Sequence, residues 1–311
     1  MPIPTEVTPL GVSGAIPTRD RHLSGLALRR EGRVLLFDCG EGTQLQMLRA
    51  GLLGGKLEAV FITHLHGDHV FGLPGLLSTL ALLDRAEPLA VVGPEGVRDL
   101  VHAMPGMDAG GGPFPLSFTE IPEDAEHETV YSTDAFWVEA RPLAHRVPCF
   151  GYRYEEAPRP GRFDASAAQR AGVTPGPDFE RIVSGESVRV DGRDVTAEGI
   201  VGPRRPGTVV AYCLDTAPCE GSRALANAAD LLVHDATFGD DEAERAAATG
   251  HSTARQAGET ARDEGAKRLL LTHFSARYPD PGPLVAQARE AFEPSEAAVE
   301  LEAVRVQPQE A

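Results

Sequence analysis

The feature that most constrains this chain is the run His64-Leu65-His66-Gly67-Asp68-His69, which follows directly on the apolar, β-branched stretch Val60-Phe61-Ile62-Thr63. Such a stretch reads as a strand, and a glycine just past its end lets the chain turn tightly. Three histidines and one aspartate are thereby delivered to one end of a sheet. Imidazole nitrogen and carboxylate oxygen hold borderline divalent ions such as Zn²⁺, and the cluster is dense enough to serve two of them. A turn at Gly67 splays alternate side chains, so that His64 and His66 can serve one ion while Asp68 and His69 serve the other. A lone histidine is more often a satisfied core or surface residue than a ligand; clustering of this density reverses that preference.

Apolar runs bounded by turn residues predict strands at Val34 to Asp38, Leu57 to Thr63, Leu89 to Val92, Phe136 to Ala144, Val209 to Leu214, Leu231 to Val233 and Leu269 to Thr272. Helical patterns lie between several of them, at Thr43 to Ala50, Leu73 to Asp84, Pro94 to Val101, Ser222 to Ala229, Ser252 to Glu264 and Pro283 to Phe292, with Ser252 placed to cap its helix. The alternation means a layered α/β architecture. Open α/β sheets place their chemistry beyond the carboxyl ends of strands. His145, Asp215 and His273 each stand at such an end. Singly, each could be a turn aspartate or a strand-end histidine; their shared topological position makes them further ligand candidates. Of the other histidines, His234 and His251 lie in short polar motifs, His102 and His127 read as surface residues, and His22 lies in an arginine-rich loop with no role assigned.

From about Glu155 to Pro206 the pattern breaks into a segment rich in Pro, Gly and Arg with no clear core face, which reads as an insertion or arm. The formal charge of −17 argues against a polyanionic partner, but the charge is unevenly spread: nine arginines face nine acids between Arg153 and Arg205, and five face two between Arg19 and Arg33. Both segments could meet a polyanion. The alternative is that Arg simply replaces Lys throughout, Lys56 and Lys267 being the only lysines. The four cysteines are scattered without a Cys-x-x-Cys pair, so they read as reduced, mostly buried apolar residues rather than a thiolate site or disulfide framework. No membrane span or signal peptide is read, and a cytoplasmic protein is expected.

With these residues in place the chain resembles the metallo-β-lactamase superfamily and, within it, the ribonuclease Z family, endonucleases that trim the 3′ end of tRNA precursors. The resemblance runs over nearly the whole length. Its most specific strings are Phe37-Asp38-Cys39-Gly40-Glu41-Gly42-Thr43-Gln44, Val147-Pro148-Cys149-Phe150-Gly151-Tyr152 and Leu214-Asp215-Thr216, with Gly161 to Asp164 and Gly176-Pro177 in the inserted segment. It implies a four-layer αβ/βα sandwich forming one domain over 1–311, a flexible arm over about 155–206 that grips the tRNA elbow, two zinc ions per subunit and a homodimer. It further implies that His64, His66 and His145 bind one zinc, that Asp68, His69 and His273 bind the other, and that Asp215 bridges them. Two motifs depart from the family. His-Glu-Ala-Thr reads His234-Asp235-Ala236-Thr237, one methylene shorter at the acid, and Pro-Thr-x-x-Arg-Asn reads Pro17-Thr18-Arg19-Asp20-Arg21-His22.

Two adjacent metals supply a nucleophile at neutral pH and neutralise the transition state of phosphodiester hydrolysis. Asp68 is the expected general base. The resemblance assigns His251 to the scissile phosphate or to the leaving 3′ oxygen, against the alternative of a surface histidine preceding a helix, and Asp235 to orienting it. Arginines of the arm are expected to hold RNA phosphates without reading sequence. Two other readings stay open: a superfamily hydrolase acting on a small substrate, and a catalytically silent zinc scaffold, against which the full ligand set and intact Asp68 weigh.

Overall fold

The alternating strands and helices assemble into two seven-stranded sheets in a computed structural model of the chain, which describes residues 4–53, 56–104, 106–107 and 112–307. The first sheet has the order Val304–Val306, Thr5–Gly11, Gly25–Arg30, Arg33–Phe37, Lys56–Phe61, Leu89–Pro94, Leu116–Ile121. It is antiparallel up to Arg33–Phe37 and parallel beyond. The second has the order Ser295–Ala297, Leu269–Thr272, Leu231–Asp235, Val209–Cys213, Phe150–Glu156, Phe136–Pro142, Glu128–Ser132. Its parallel strands Val209–Cys213, Leu231–Asp235 and Leu269–Thr272 are buried at every residue, as strands covered on both faces must be.

The inner faces of the two sheets meet through an aromatic layer. Phe37 and Phe61, adjacent on the first sheet, stack with centroids 5.0 Å apart, and Phe37 packs on Tyr152 and Tyr212 of the second at 6.0 and 5.6 Å. Both tyrosines keep a polar partner while buried: Tyr152 donates to the Ile62 carbonyl at 2.6 Å and Tyr212 to Asp38 at 3.0 Å. Phe37 and Phe61 lie in sequence just before Asp38 and His64, and Tyr212 just before Asp215, so this aromatic layer supports the strand ends that carry the candidate ligands. On the outer face of the first sheet the helix Leu73–Leu82 buries Leu73, Leu76, Leu77 and Leu80, the spacing of an amphipathic stripe.

Several boundaries differ from expectation for local reasons. Ser252 does not cap the helix that follows. It is fully buried and donates to the Thr216 carbonyl at 2.6 Å, while Thr253 accepts from Gln256 N and Gln256 reciprocates in a capping box opening Ala254–Asp263. Pro94 closes the strand Leu89–Pro94, and its helix begins only at Val97. His234 lies within the strand Leu231–Asp235 and is buried.

Asp134–Phe136 and Glu156–Gly207 belong to a second compact unit. The absence of a core face expected for this segment is corrected: Ala168, Val173, Ile182, Val188 and Ile200 are buried together, with Phe163 and Phe179 tilted 4.8 Å apart against them. Asp164 caps the helix Ala165–Arg170, a second helix spans Pro177–Val183, and Asp191-Gly192, both at positive φ, turn the hairpin Val188–Val190 to Arg193–Val195. Its elements are too short to show a period, which hides this small core from sequence. Arg162, Arg170, Arg189, Arg193, Arg204 and Arg205 are exposed on this unit.

Candidate metal centre

The histidine run leaves its strand as an extended segment through His66 and then makes a single helical turn, Gly67–Val70. His145, Asp215 and His273 arrive from beyond Phe136–Pro142, Val209–Cys213 and Leu269–Thr272. Asp38, Asp215 and His273 have left-handed backbones at φ 58, 50 and 63. That region costs a non-glycine residue about 1–2 kcal/mol, and strain of this kind gathers at functional sites, where the surroundings hold it in place.

All seven ligand candidates converge. His64, His66, His145 and Asp215 each present a donor atom within 4.8 Å of the others, and so do Asp68, His69 and His273. Asp215 faces both groups. Its Oδ2 lies 3.7 Å from His64 Nε2 and 3.9 Å from His145 Nε2, and its Oδ1 lies 3.1 Å from His69 Nε2 and 3.0 Å from His273 Nε2. Asp68 Oδ2 completes the second group at 3.4 Å from His69 Nε2 and 3.6 Å from His273 Nε2. Donors bound about 2.0–2.1 Å from a tetrahedral ion stand roughly 3.3–3.4 Å apart, so these separations are those of ligands around a shared centre. Moreover, His69 Nε2, Asp215 Oδ1 and His273 Nε2 are buried without a hydrogen-bond partner. Buried polar atoms are almost always satisfied, and three orphans aimed at one point fit a bound cation.

The opposite nitrogens of the imidazoles are held by the protein, which fixes tautomer and ring orientation. His69 Nδ1 lies 2.8 Å from Asp38 Oδ2, and Asp38 Oδ1 accepts from Thr63 N at 2.8 Å. The Thr63 hydroxyl joins Asp38 to His64 Nδ1, 3.0 Å from each. Asp38 thus orients a ligand candidate of each group, a role that the sequence pattern alone does not assign. Its place at a strand end, like that of Asp215, was the available signal. His145 Nδ1 is 3.0 Å from the carbonyl of Gly250, a residue at φ 73 where a Cβ would sit 3.0 Å from the same ring. His273 Nδ1 is 2.8 Å from the Thr237 hydroxyl, which donates to Asp235 Oδ1 at 2.6 Å.

Asp235 and His251 stand beside this cluster. Despite its shorter side chain, Asp235 places Oδ2 2.8 Å from His251 Nδ1 and accepts from Thr216 N at 3.1 Å. The two residues also form a group of potential metal donors with Asp215 and His273. His22 pairs with Glu300 at 2.7 Å.

Burial and charge pull against each other here. Burial would raise Asp68 and Asp215, but His273 and His69 hold both carboxyls far below the usual range. Burial would lower His273, yet the Asp215 carboxylate pushes it up to about 10, and His69 rises for the same reason. His64 is driven well below the ordinary imidazole value, by burial first and by His69 second. Burial likewise pushes the Cys149 and Cys213 thiols well up, and all four cysteines are free.

The sequence profile of the metallo-β-lactamase superfamily matches residues 19–273, which sets the class defined by this pair of sheets and its strand-end cluster. Ribonuclease Z of Salinibacter ruber is 52% identical, covering 98% of this chain and 95% of that protein. Ribonuclease Z of Haloferax volcanii is 47% identical over 91% and 89% of the two chains. Among solved structures, the short form of human tRNase Z superposes with a TM-score of 0.69 at 28% identity, over 97% of this chain and 99% of that one. The chain belongs to the ribonuclease Z family of the metallo-β-lactamase superfamily.

Proposed function

We propose that this protein is an endoribonuclease that removes the 3′ trailer from tRNA precursors by water attack on a phosphodiester, leaving a 3′-hydroxyl on the tRNA, with two zinc ions per subunit. The observation that carries the metal chemistry is the convergence of the orphaned atoms His69 Nε2, Asp215 Oδ1 and His273 Nε2. Identity of 52% to a ribonuclease Z over almost the whole chain supports the substrate.

In this reading His64, His66 and His145 would hold one ion, Asp68, His69 and His273 would hold the other, and Asp215 would serve both. When bound, the ions activate water at neutral pH and neutralise charge on the phosphate. Asp68 turns Oδ2 toward His69 and His273, and we assign its Oδ1 to orienting the attacking water and taking its proton. His251, with Nδ1 fixed on Asp235, offers Nε2 to the scissile phosphate or to the leaving 3′ oxygen. Asp235 stays ionised because His251 offsets the effect of its burial, so it holds that ring by a charge-assisted hydrogen bond.

The exposed arginines of the unit around Glu156–Gly207 supply phosphate contacts, so we assign residues of about 155–206 as the tRNA-binding arm of a single metallo-β-lactamase-fold domain. Exposed Leu45 and Leu48 on Thr43–Arg49, with Leu82 ending the neighbouring helix Leu73–Leu82 and Leu83 just beyond it, favour a homodimer. Free thiols suit a reducing compartment such as the cytoplasm. No helix among the described residues is long and apolar enough to cross a membrane. Asp68→Ala tests the assignment: two metals per subunit in the native protein, and cleavage of a precursor reduced at least about 10³-fold in the variant, are expected from loss of a ligand and base together. Unchanged cleavage would remove Asp68 from the mechanism.

A further inference from the structure

One segment beside the cluster has a construction that the ligand set does not explain. Residues Ser13 to His22 form a closed loop: Ser13 N donates to the His22 carbonyl at 2.9 Å, and Thr18 N to that of Arg21 at 3.0 Å. The loop enters along the site. Ser13 and Gly14 pair in parallel with Phe274 and Ser275, and Gly14 passes so close to His273 that a Cβ there would lie 2.7 Å from the ring. Ala15 then takes the left-handed conformation, φ 62, and in it donates its N–H to Asp68 Oδ2 at 2.9 Å. An alanine held in that region, bonded to a metal-facing carboxylate, needs something to keep the loop in place.

The other end of the loop supplies it. Glu300, 278 positions along the chain from His22, accepts from His22 N at 2.6 Å through Oε1. Its Oε2 lies 2.7 Å from His22 Nδ1 and accepts from Gln46 Nε2 at 2.9 Å. Gln46 is buried and also donates to the Leu10 carbonyl, which fixes the anchor to the first sheet. One carboxylate therefore holds His22 by two contacts and reaches the first sheet by a third, through Gln46, while the neighbouring Arg21 donates to the Tyr278 carbonyl.

We propose that Glu300 is a positioning residue for the reaction: by anchoring His22 it holds the closed loop Ser13 to His22 so that the Ala15 N–H stays on Asp68 Oδ2. The N–H selects one orientation of the Asp68 carboxylate, committing Oδ2 to the ligand cluster and Oδ1 to the substrate side. His22 is the position at which the chain departs from the family's asparagine, and its imidazole gives the anchor its second contact. The inference rests on the role given to Asp68 above.

The test is steady-state cleavage by the metal-loaded protein of both a 3′-extended tRNA precursor and bis(p-nitrophenyl) phosphate, with kcat expressed per bound metal pair. A misplaced reacting group costs on the order of 10–100-fold. Glu300→Ala is expected to lose about that much in kcat on both substrates, with KM for the small one within about twofold of native. Glu300→Gln, which keeps an oxygen for His22 N, should recover most of the loss. His22→Ala should fall between native and Glu300→Ala, and the double variant should be no worse than Glu300→Ala, because both act through one contact. Native kcat in Glu300→Ala, a change confined to KM for RNA, or additive losses in the double variant would each overturn the proposal. Should Glu300→Ala fail to fold, Glu300→Gln and His22→Ala decide, and native kcat in His22→Ala counts against it. An Asp68→Ala enzyme that still cleaves would instead overturn the underlying role of Asp68, whatever Glu300 does.

Discussion

Asp38→Asn separates orientation of a ligand from ligation itself. Asp38 is fully buried and adopts φ 58, a conformation that asparagine tolerates, so the substitution changes chemistry with little backbone cost. An amide oxygen in the place of Oδ1 keeps the bonds from Thr63 N and the Thr63 hydroxyl, at 2.8 and 3.0 Å. The amide nitrogen then falls where Oδ2 meets His69 Nδ1 at 2.8 Å and the Tyr212 hydroxyl at 3.0 Å. A donor now faces Nδ1, which favours the tautomer with its proton on Nε2, the atom aimed at the ligand cluster. Loss of such an orienting partner costs about 10–100-fold in metal affinity, which is about 1.4–2.8 kcal/mol at roughly 1.4 kcal/mol per decade. The loss should be confined to the ion held with Asp68 and His273, because the path from Thr63 to His64 survives. Competition against a chromophoric chelator, resolved into two binding steps, reads it directly. Equal weakening of both steps, or no change in either, would refute the assignment of Asp38 to His69.

Two further outcomes are expected. Deleting the segment from about Glu155 to Pro206 should abolish cleavage of a tRNA precursor while sparing a small chromogenic phosphodiester; equal loss on both, or on neither, would contradict the role given to the arm. In the metal-free protein His273, pushed up to about 10 chiefly by Asp215 against its burial, carries a proton at neutral pH. Its pairing stabilises that form fully below the unfolded value near 6.5 and is lost as the pH rises through about 10, so metal must displace this proton and affinity should climb across the window. Calorimetric titration of stripped protein in buffers of different ionisation enthalpy should record net proton release at about pH 7.5, and none would contradict the charge state.

What is legible in the sequence is what local pattern controls. The run His64 to His69, and the residues after three apolar strands, stand out as candidates because strand ends are recognisable and their side chains are scarce types. The contacts that aim those ligands are a different matter. Thr237 and the Gly250 carbonyl are common groups that acquire a role only when segments distant in sequence are brought side by side, and Thr63, next to His64, gains its second partner, Asp38, in the same way. Glu300 meets His22 for the same reason. The strand Thr5–Gly11 contains Pro9 and is buried at nearly every residue, so it shows neither clean alternation nor high strand propensity. Ser252 and Thr253 are both good caps in sequence, and only the burial of Ser252 against Thr216 decides between them.

The most direct measurement incubates the purified, metal-loaded protein with a 3′-extended tRNA precursor and maps both product ends. A single cut at the start of the trailer, with a 3′-hydroxyl on the tRNA and a 5′-phosphate on the released fragment, is the expected result. A 2′,3′-cyclic phosphate at the cut, or a precursor left intact while bis(p-nitrophenyl) phosphate is hydrolysed, would contradict a tRNA 3′-processing endonuclease.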